Sequence, residues 1–136
     1  MIGLWQSKAS AFLRVLAVGT LLAFGLPMLL WPLGWAAAFG WDLPADTDLA
    51  VYFGRCLASV ICILGFLAFR AAARPALQPF YFDIMIGAFA LMVGVHVYGG
   101  LQGIQPRSET LEVAYWLLMI LLALLFYPRA EARSAP

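Results

Sequence analysis

Hydrophobic positions along this chain gather into long unbroken runs, without the one-sided or alternating patterns of soluble elements. Four runs, about Ala11 to Leu30, Leu49 to Phe69, Phe80 to Tyr98 and Leu111 to Tyr127, are apolar nearly all round. A bilayer core about 30 Å thick needs roughly 20 apolar residues per helix, so each run can span it, the last near the lower limit. Membrane β-strands would be about 10 residues each with strict alternation. The block from Trp116 to Phe126 does not alternate. The pattern predicts an all-α fold: an integral membrane four-helix bundle, one domain over residues 1–136.

Breaker residues separate the runs. Trp31-Pro-Leu-Gly-Trp35 closes the first, and the polar stretch from Trp41 to Asp48 precedes the second. Arg74-Pro75 and Gln78-Pro79 force a short turn between the second and third. Gly99-Gly100 and the segment Gln105 to Ser108 divide the third from the fourth. Pro27 falls inside the first span and is expected to kink it or mark its last turn. Met1–Ser10 and Pro128–Pro136 read as free tails.

Composition agrees. Of 136 residues, 65% are hydrophobic and 11% charged, with mean hydropathy +0.93. A soluble domain runs at about 25% charged. Too few charges remain to cover a water-exposed surface, which excludes a soluble enzyme, a disordered chain and a nucleic-acid binder with a broad basic face. Charge placement orients the chain. Lys8, Arg14, Arg70, Arg74, Arg129 and Arg133 fall on one side of a four-span topology, against Arg55 and Arg107 on the other. The excess of positive residues marks the cytoplasmic side, so both termini are expected there. A cleaved signal peptide ending near Ala36-Ala37-Ala38 is the competing reading. The first run is longer than the roughly 7–15 residues of a signal-peptide core.

Candidate chemistry is sparse. His96 is the only histidine and Cys56 and Cys62 the only cysteines. Bis-histidine haem and metal centres built on several His or Cys ligands therefore lack their ligands, and the cysteines, six apart, form no Cys-x-x-Cys pair. No cofactor and no metal is expected from this reading; His96 reads as interfacial and the cysteines as small hydrophobes. The acidic residues Asp42, Asp46 and Asp48 lack the glycine and terminal glutamate of a calcium loop; Asp46 and Asp48 read as caps of span two. Ser108 reads as the N-cap of span four. Glu109 and Glu112 read as first-turn acids favoured by the helix dipole.

Helical projection sorts the remaining polar residues. Arg55, Ser59 and Cys62, with Ala58 beside them, form a small polar stripe on span two. On span three, Asp83, Gly87, Ala90, Gly94 and Tyr98 share one face, which predicts a helix–helix seam. His96, Phe89, Met85 and Met92 lie opposite. On span four, Glu112, Trp116, Met119 and Ala123 align. This places Arg55, Tyr98, Glu112 and Trp116 in the bundle interior at one end, as a polar cluster for a ligand or for structural pairing. Glu112 is the expected partner of Arg55, with Glu109 as the fallback.

The length, the four short spans, the sequence from Leu26 to Trp35 closing the first and Tyr52-Phe-Gly-Arg-Cys-Leu57 opening the second resemble the small DoxX-like bacterial membrane proteins. The resemblance implies a four-helix protein of the bacterial inner membrane; some members of the wider group are linked to quinone-dependent sulfur oxidation as small subunits. None of the residues here carries that redox role across. Two functions remain open. One is a non-catalytic accessory or scaffold subunit whose partners are the bilayer and other membrane proteins, with no nucleic acid. The other is binding or transport of a lipid, quinone or small anionic molecule around Arg55, Tyr98, Glu112 and Trp116.

Overall fold

A computed structural model of the chain describes residues 2–129. Arg133, one of the cations behind the expected orientation, lies outside the described residues. The described chain is helical throughout its long elements, and four helical stretches are long and apolar enough to cross a membrane: Gln6–Leu30, Asp48–Ala73, Pro75–Gln102 and Arg107–Phe126. This is a multi-pass, all-α membrane bundle. Within it, α1 (Ala9–Thr20) runs through a wide turn of π-helix, Leu21–Gly25, into α2 (Leu26–Leu30). A short α3 (Pro32–Ala38) follows, then α4 (Asp48–Ala73), α5 (Gln78–Gln102) and α6 (Arg107–Phe126). Both longer hydrophobic helices exceed their expected runs. α5 continues through Gly99-Gly100 to Gln102 and ends at Gly103 in the left-handed conformation, φ +64°, where the Ile104 N–H bonds the Gly99 carbonyl at 3.1 Å.

Pro27 acts as foreseen, with an addition. It has no N–H to offer the Ala23 carbonyl four residues back. The segment after Trp31, expected to be a plain break, forms α3 and folds back so that the Trp35 indole N–H donates to that carbonyl at 2.9 Å. Trp35 stacks on Phe39 at 4.5 Å and tilts against Phe24 at 5.9 Å. A proline lesion in span one is thus sealed by a tryptophan from the next element.

Lipid is as apolar as leucine, so helices in a bilayer associate through close packing and internal hydrogen bonds. The first two spans approach across Gly25 and Gly65. A methyl group on Gly25 would lie 3.1 Å from Cys62 Sγ, and one on Gly65 only 2.8 Å from Leu21 Cγ. The seam of α4 is Ala58, Gly65, Ala68 and Ala72, all buried, not the stripe through Arg55 and Ser59, both exposed. On α5 the expected seam is reversed. Asp83, Gly87, Ala90, Gly94 and Tyr98 are exposed, while Tyr81, Phe82, Met85 and His96 face inward. The reason is hydrogen bonding and volume. Tyr81 donates to the Leu64 carbonyl and Gln78 to Ser10 Oγ, each at 2.8 Å. Phe82, fully buried, sits between Phe12 and Tyr127, with ring centroids 5.9 and 5.8 Å away. Gln78, Tyr81 and His96, polar side chains that would be costly in lipid, find their partners on that face.

The N-terminal segment is tied down where a free tail was expected. Gly3 and Trp5 N–H groups bond the Leu124 and Leu125 carbonyls at 2.9 Å each, filling acceptors that the end of α6 leaves open. Gly3 does so at φ +71°. Arg129 donates to the Ile2 carbonyl, and its backbone N–H to Gln6 Oε1 at 3.0 Å.

Candidate functional site

Opposite the termini, the bundle end collects the turn after α3, the end of α5 and the start of α6. Gly40, at φ +85°, ends α3 and throws Trp41 across the bundle, its backbone N–H returning to Ala36 O at 3.1 Å. Ser108 does not cap α6; the flanking position is Pro106 and the Ser108 hydroxyl donates to Phe39 O. That bond pins the turn to α6. Gln105 docks over Gly99, where a methyl group would overlap its amide. From there Gln105 Nε2 donates to His96 O at 2.9 Å and to Thr110 Oγ1 at 3.0 Å, fixing α5 against α6.

These ties bring His96, Glu109 and Glu112 together. His96 is 4% exposed, buried where an interfacial position was expected. Its Nε2 lies 3.1 Å from Glu109 Oε2 and 3.4 Å from Glu112 Oε2. The two glutamates are three apart on α6 and so share a face. Nδ1 lies 2.7 Å from the Met92 carbonyl. A carbonyl only accepts, so Nδ1 carries the proton and Nε2 is the atom turned to the carboxylates. Glu109 Oε1 accepts the Trp41 indole N–H at 2.8 Å. Beneath them, Trp116 packs against His96, Phe89 and Phe24, with ring centroids 6.1, 5.6 and 6.3 Å away. The Trp116 indole N–H is buried without a hydrogen-bond partner.

Of the four residues expected to cluster, Glu112 and Trp116 meet here and Arg55 and Tyr98 do not. Tyr98 is 62% exposed, on the outer face of α5. Arg55 is exposed and lines an open surface groove with Asp48, Tyr52 and Ser59; among the described residues it makes no ion pair. The expected Arg55–Glu112 pair is therefore replaced by His96–Glu112. An arginine close to the end of a span reaches the interface with its long side chain, whereas an imidazole cannot. In the sequence His96 and the two glutamates stand apart, separated by a turn whose geometry no local pattern specifies. The signal was present: three ionisable residues on either side of one tight turn.

The group can hold a proton or a metal ion. The ligand atoms of His96, Glu109 and Glu112 all lie within 4.8 Å of one another. Comparison of the chain with protein-family models, with characterised proteins and with solved structures gave no match.

Proposed function

We propose that this is a non-catalytic, multi-pass protein of the bacterial inner membrane that binds a small cation at the extracytoplasmic end of its bundle. Support comes from charge balance in the His96–Glu109–Glu112 group. Two ionised carboxylates would bring two negative charges, of which one imidazole can offset no more than one. Glu109 and Glu112 have side chains 11% and 16% exposed, and uncompensated charge in such surroundings costs several kcal/mol. A bound cation removes that cost. An anionic headgroup or a quinone would draw on Arg55 beside Glu112, and Arg55 lies instead in the groove with Asp48, Tyr52 and Ser59.

The test is a fluorescence titration of the purified protein in nanodiscs, since Trp41 and Trp116 border the site. The panel is Na⁺, Mg²⁺, Ca²⁺, methylammonium, Mn²⁺ and Zn²⁺. A saturable response to at least one, lost in the Glu109→Gln/Glu112→Gln double variant, supports the reading. A flat response to all of them overturns it. An accessory-subunit role in a larger complex is the second reading. It draws on the outward Gly87 and Gly94, where an added methyl meets nothing within 4 Å, a surface open to another helix. Native mass spectrometry from the source membrane would show a stoichiometric partner polypeptide if this holds.

A further inference from the structure

We infer that the cation is a first-row divalent transition metal, ligated by His96 Nε2, Glu109 Oε2 and Glu112 Oε2. This rests on the cation-binding reading above and narrows it to one class of ion. The three ligand atoms lie within 4.8 Å of one another, a spacing that serves the His96–Glu109 hydrogen bond and also admits an ion. Metal–ligand bonds of about 2.0–2.2 Å set ligand atoms about 2.9–3.4 Å apart in octahedral or tetrahedral geometry. The observed separations from Nε2 are 3.1 and 3.4 Å. An organic ammonium would have to push these atoms apart.

The donor set selects among ions. An imidazole nitrogen disfavours Mg²⁺ and Ca²⁺, which take oxygen ligands. Two carboxylates and no thiolate disfavour Cu(I); both cysteines lie on α4, outside the group. Zn²⁺, Mn²⁺, Fe²⁺ and Co²⁺ fit the mixed nitrogen and oxygen set. Two carboxylates with a dication and a neutral imidazole sum to zero charge, the state a dry site favours.

The outer contacts match those that orient metal ligands elsewhere in proteins. A ligating histidine usually donates its other N–H to a carbonyl or carboxylate, and ligating carboxylates are themselves hydrogen-bonded. Here Nδ1 is held by Met92 O at 2.7 Å and Glu109 Oε1 by the Trp41 indole at 2.8 Å. The Trp116 N–H, one turn along α6 from Glu112, lies near the Glu112 carboxylate without making a full hydrogen bond, where it can steady that ligand or meet an oxygen in a remaining coordination position. Three protein ligands leave such a position open.

Isothermal calorimetry on chelator-stripped protein in nanodiscs, with Zn²⁺, Mg²⁺, Ca²⁺ and methylammonium as probes, tests the assignment. Expected is one Zn²⁺ per chain, bound at least about 100-fold more tightly than Mg²⁺ or Ca²⁺. His96→Gln should weaken Zn²⁺ by at least tenfold (~10×) while helicity is retained. Trp41→Phe, a change in an exposed turn, should weaken it about 10–100-fold and decides the matter if His96→Gln does not fold. Co²⁺ should show ligand-field absorption bands that His96→Gln or Trp41→Phe alters. Equal or tighter binding of Mg²⁺, Ca²⁺ or methylammonium overturns the transition-metal assignment and leaves the cation reading standing. So does Zn²⁺ affinity indifferent to the substitutions. No heat with any probe, together with a flat fluorescence response, removes both.

Discussion

Replacing Trp35 by Phe tests how the bundle repairs the break that Pro27 makes. The ring stacked on Phe39 is largely kept, but the N–H that serves the Ala23 carbonyl is lost. Ala23 lies on the outer face of the bundle, and a carbonyl left without a donor where the bilayer core holds no water to replace it costs about 1–3 kcal/mol. We expect Trp35→Phe to lower stability by about that much. In a Pro27→Ala background residue 27 regains an N–H that can reach Ala23, so the same Trp35→Phe change should cost less. The coupling should exceed about 0.5 kcal/mol, the limit within which independent sites add. Unfolding in mixed micelles against rising SDS, followed by circular dichroism, measures all four members of the cycle. Equal costs of Trp35→Phe in both backgrounds would refute the repair.

Gly65→Ala should destabilise by about 1–3 kcal/mol through overpacking against Leu21, whereas Gly87→Ala and Gly94→Ala should be neutral or slightly stabilising; the same SDS titration separates them. Arg55→Ala should change stability by less than about 0.5 kcal/mol, as for other exposed positions, and a loss several times larger would restore an interior partner for it. Tyr127 lies just beyond α6 and its hydroxyl donates to Asp83 Oδ1 at 2.8 Å, which holds its phenol above the ordinary value of 10.0. Because the folded value is raised, this contribution is present below the unfolded pKa and fades as pH rises through the folded one. Asp83→Asn should lower the alkaline midpoint of phenolate absorbance, and Tyr127→Phe should remove that component. Single cysteines at Ser7, Asp46, Ala73 and Ser108, in a background without Cys56 and Cys62, should react with an impermeant reagent from outside intact cells at positions 46 and 108 only. Labelling at 7 or 73 would reverse the orientation.

Four spans, their approximate limits and the membrane setting were legible in the sequence because apolar length alone decides them; a run such as Trp116 to Phe126 has no other stable environment. The disruptive role of Pro27 was legible for an equally local reason, the missing N–H. Which side of each helix faces inward was not. In a soluble bundle the apolar stripe points to the core, but α5 and α6 are apolar all round and lipid accepts Gly87 or Leu91 as readily as the interior does. Small residues suggested one face of α5, and the partners available to Gln78, Tyr81 and His96 chose the other. Those partners, Ser10, the Leu64 carbonyl, Glu109 and Glu112, come from other elements. The same holds for the site. Glu109 and Glu112 have a sufficient local explanation in the dipole of α6, and His96 in the nearby interface. Only the left-handed end at Gly103, the Gln105 clamp and the return of Trp41 from α3 turn three separately explained residues into one group, because a turn's geometry and a contact between Trp41 and Glu109, 68 positions apart, are properties of packing rather than of any one segment.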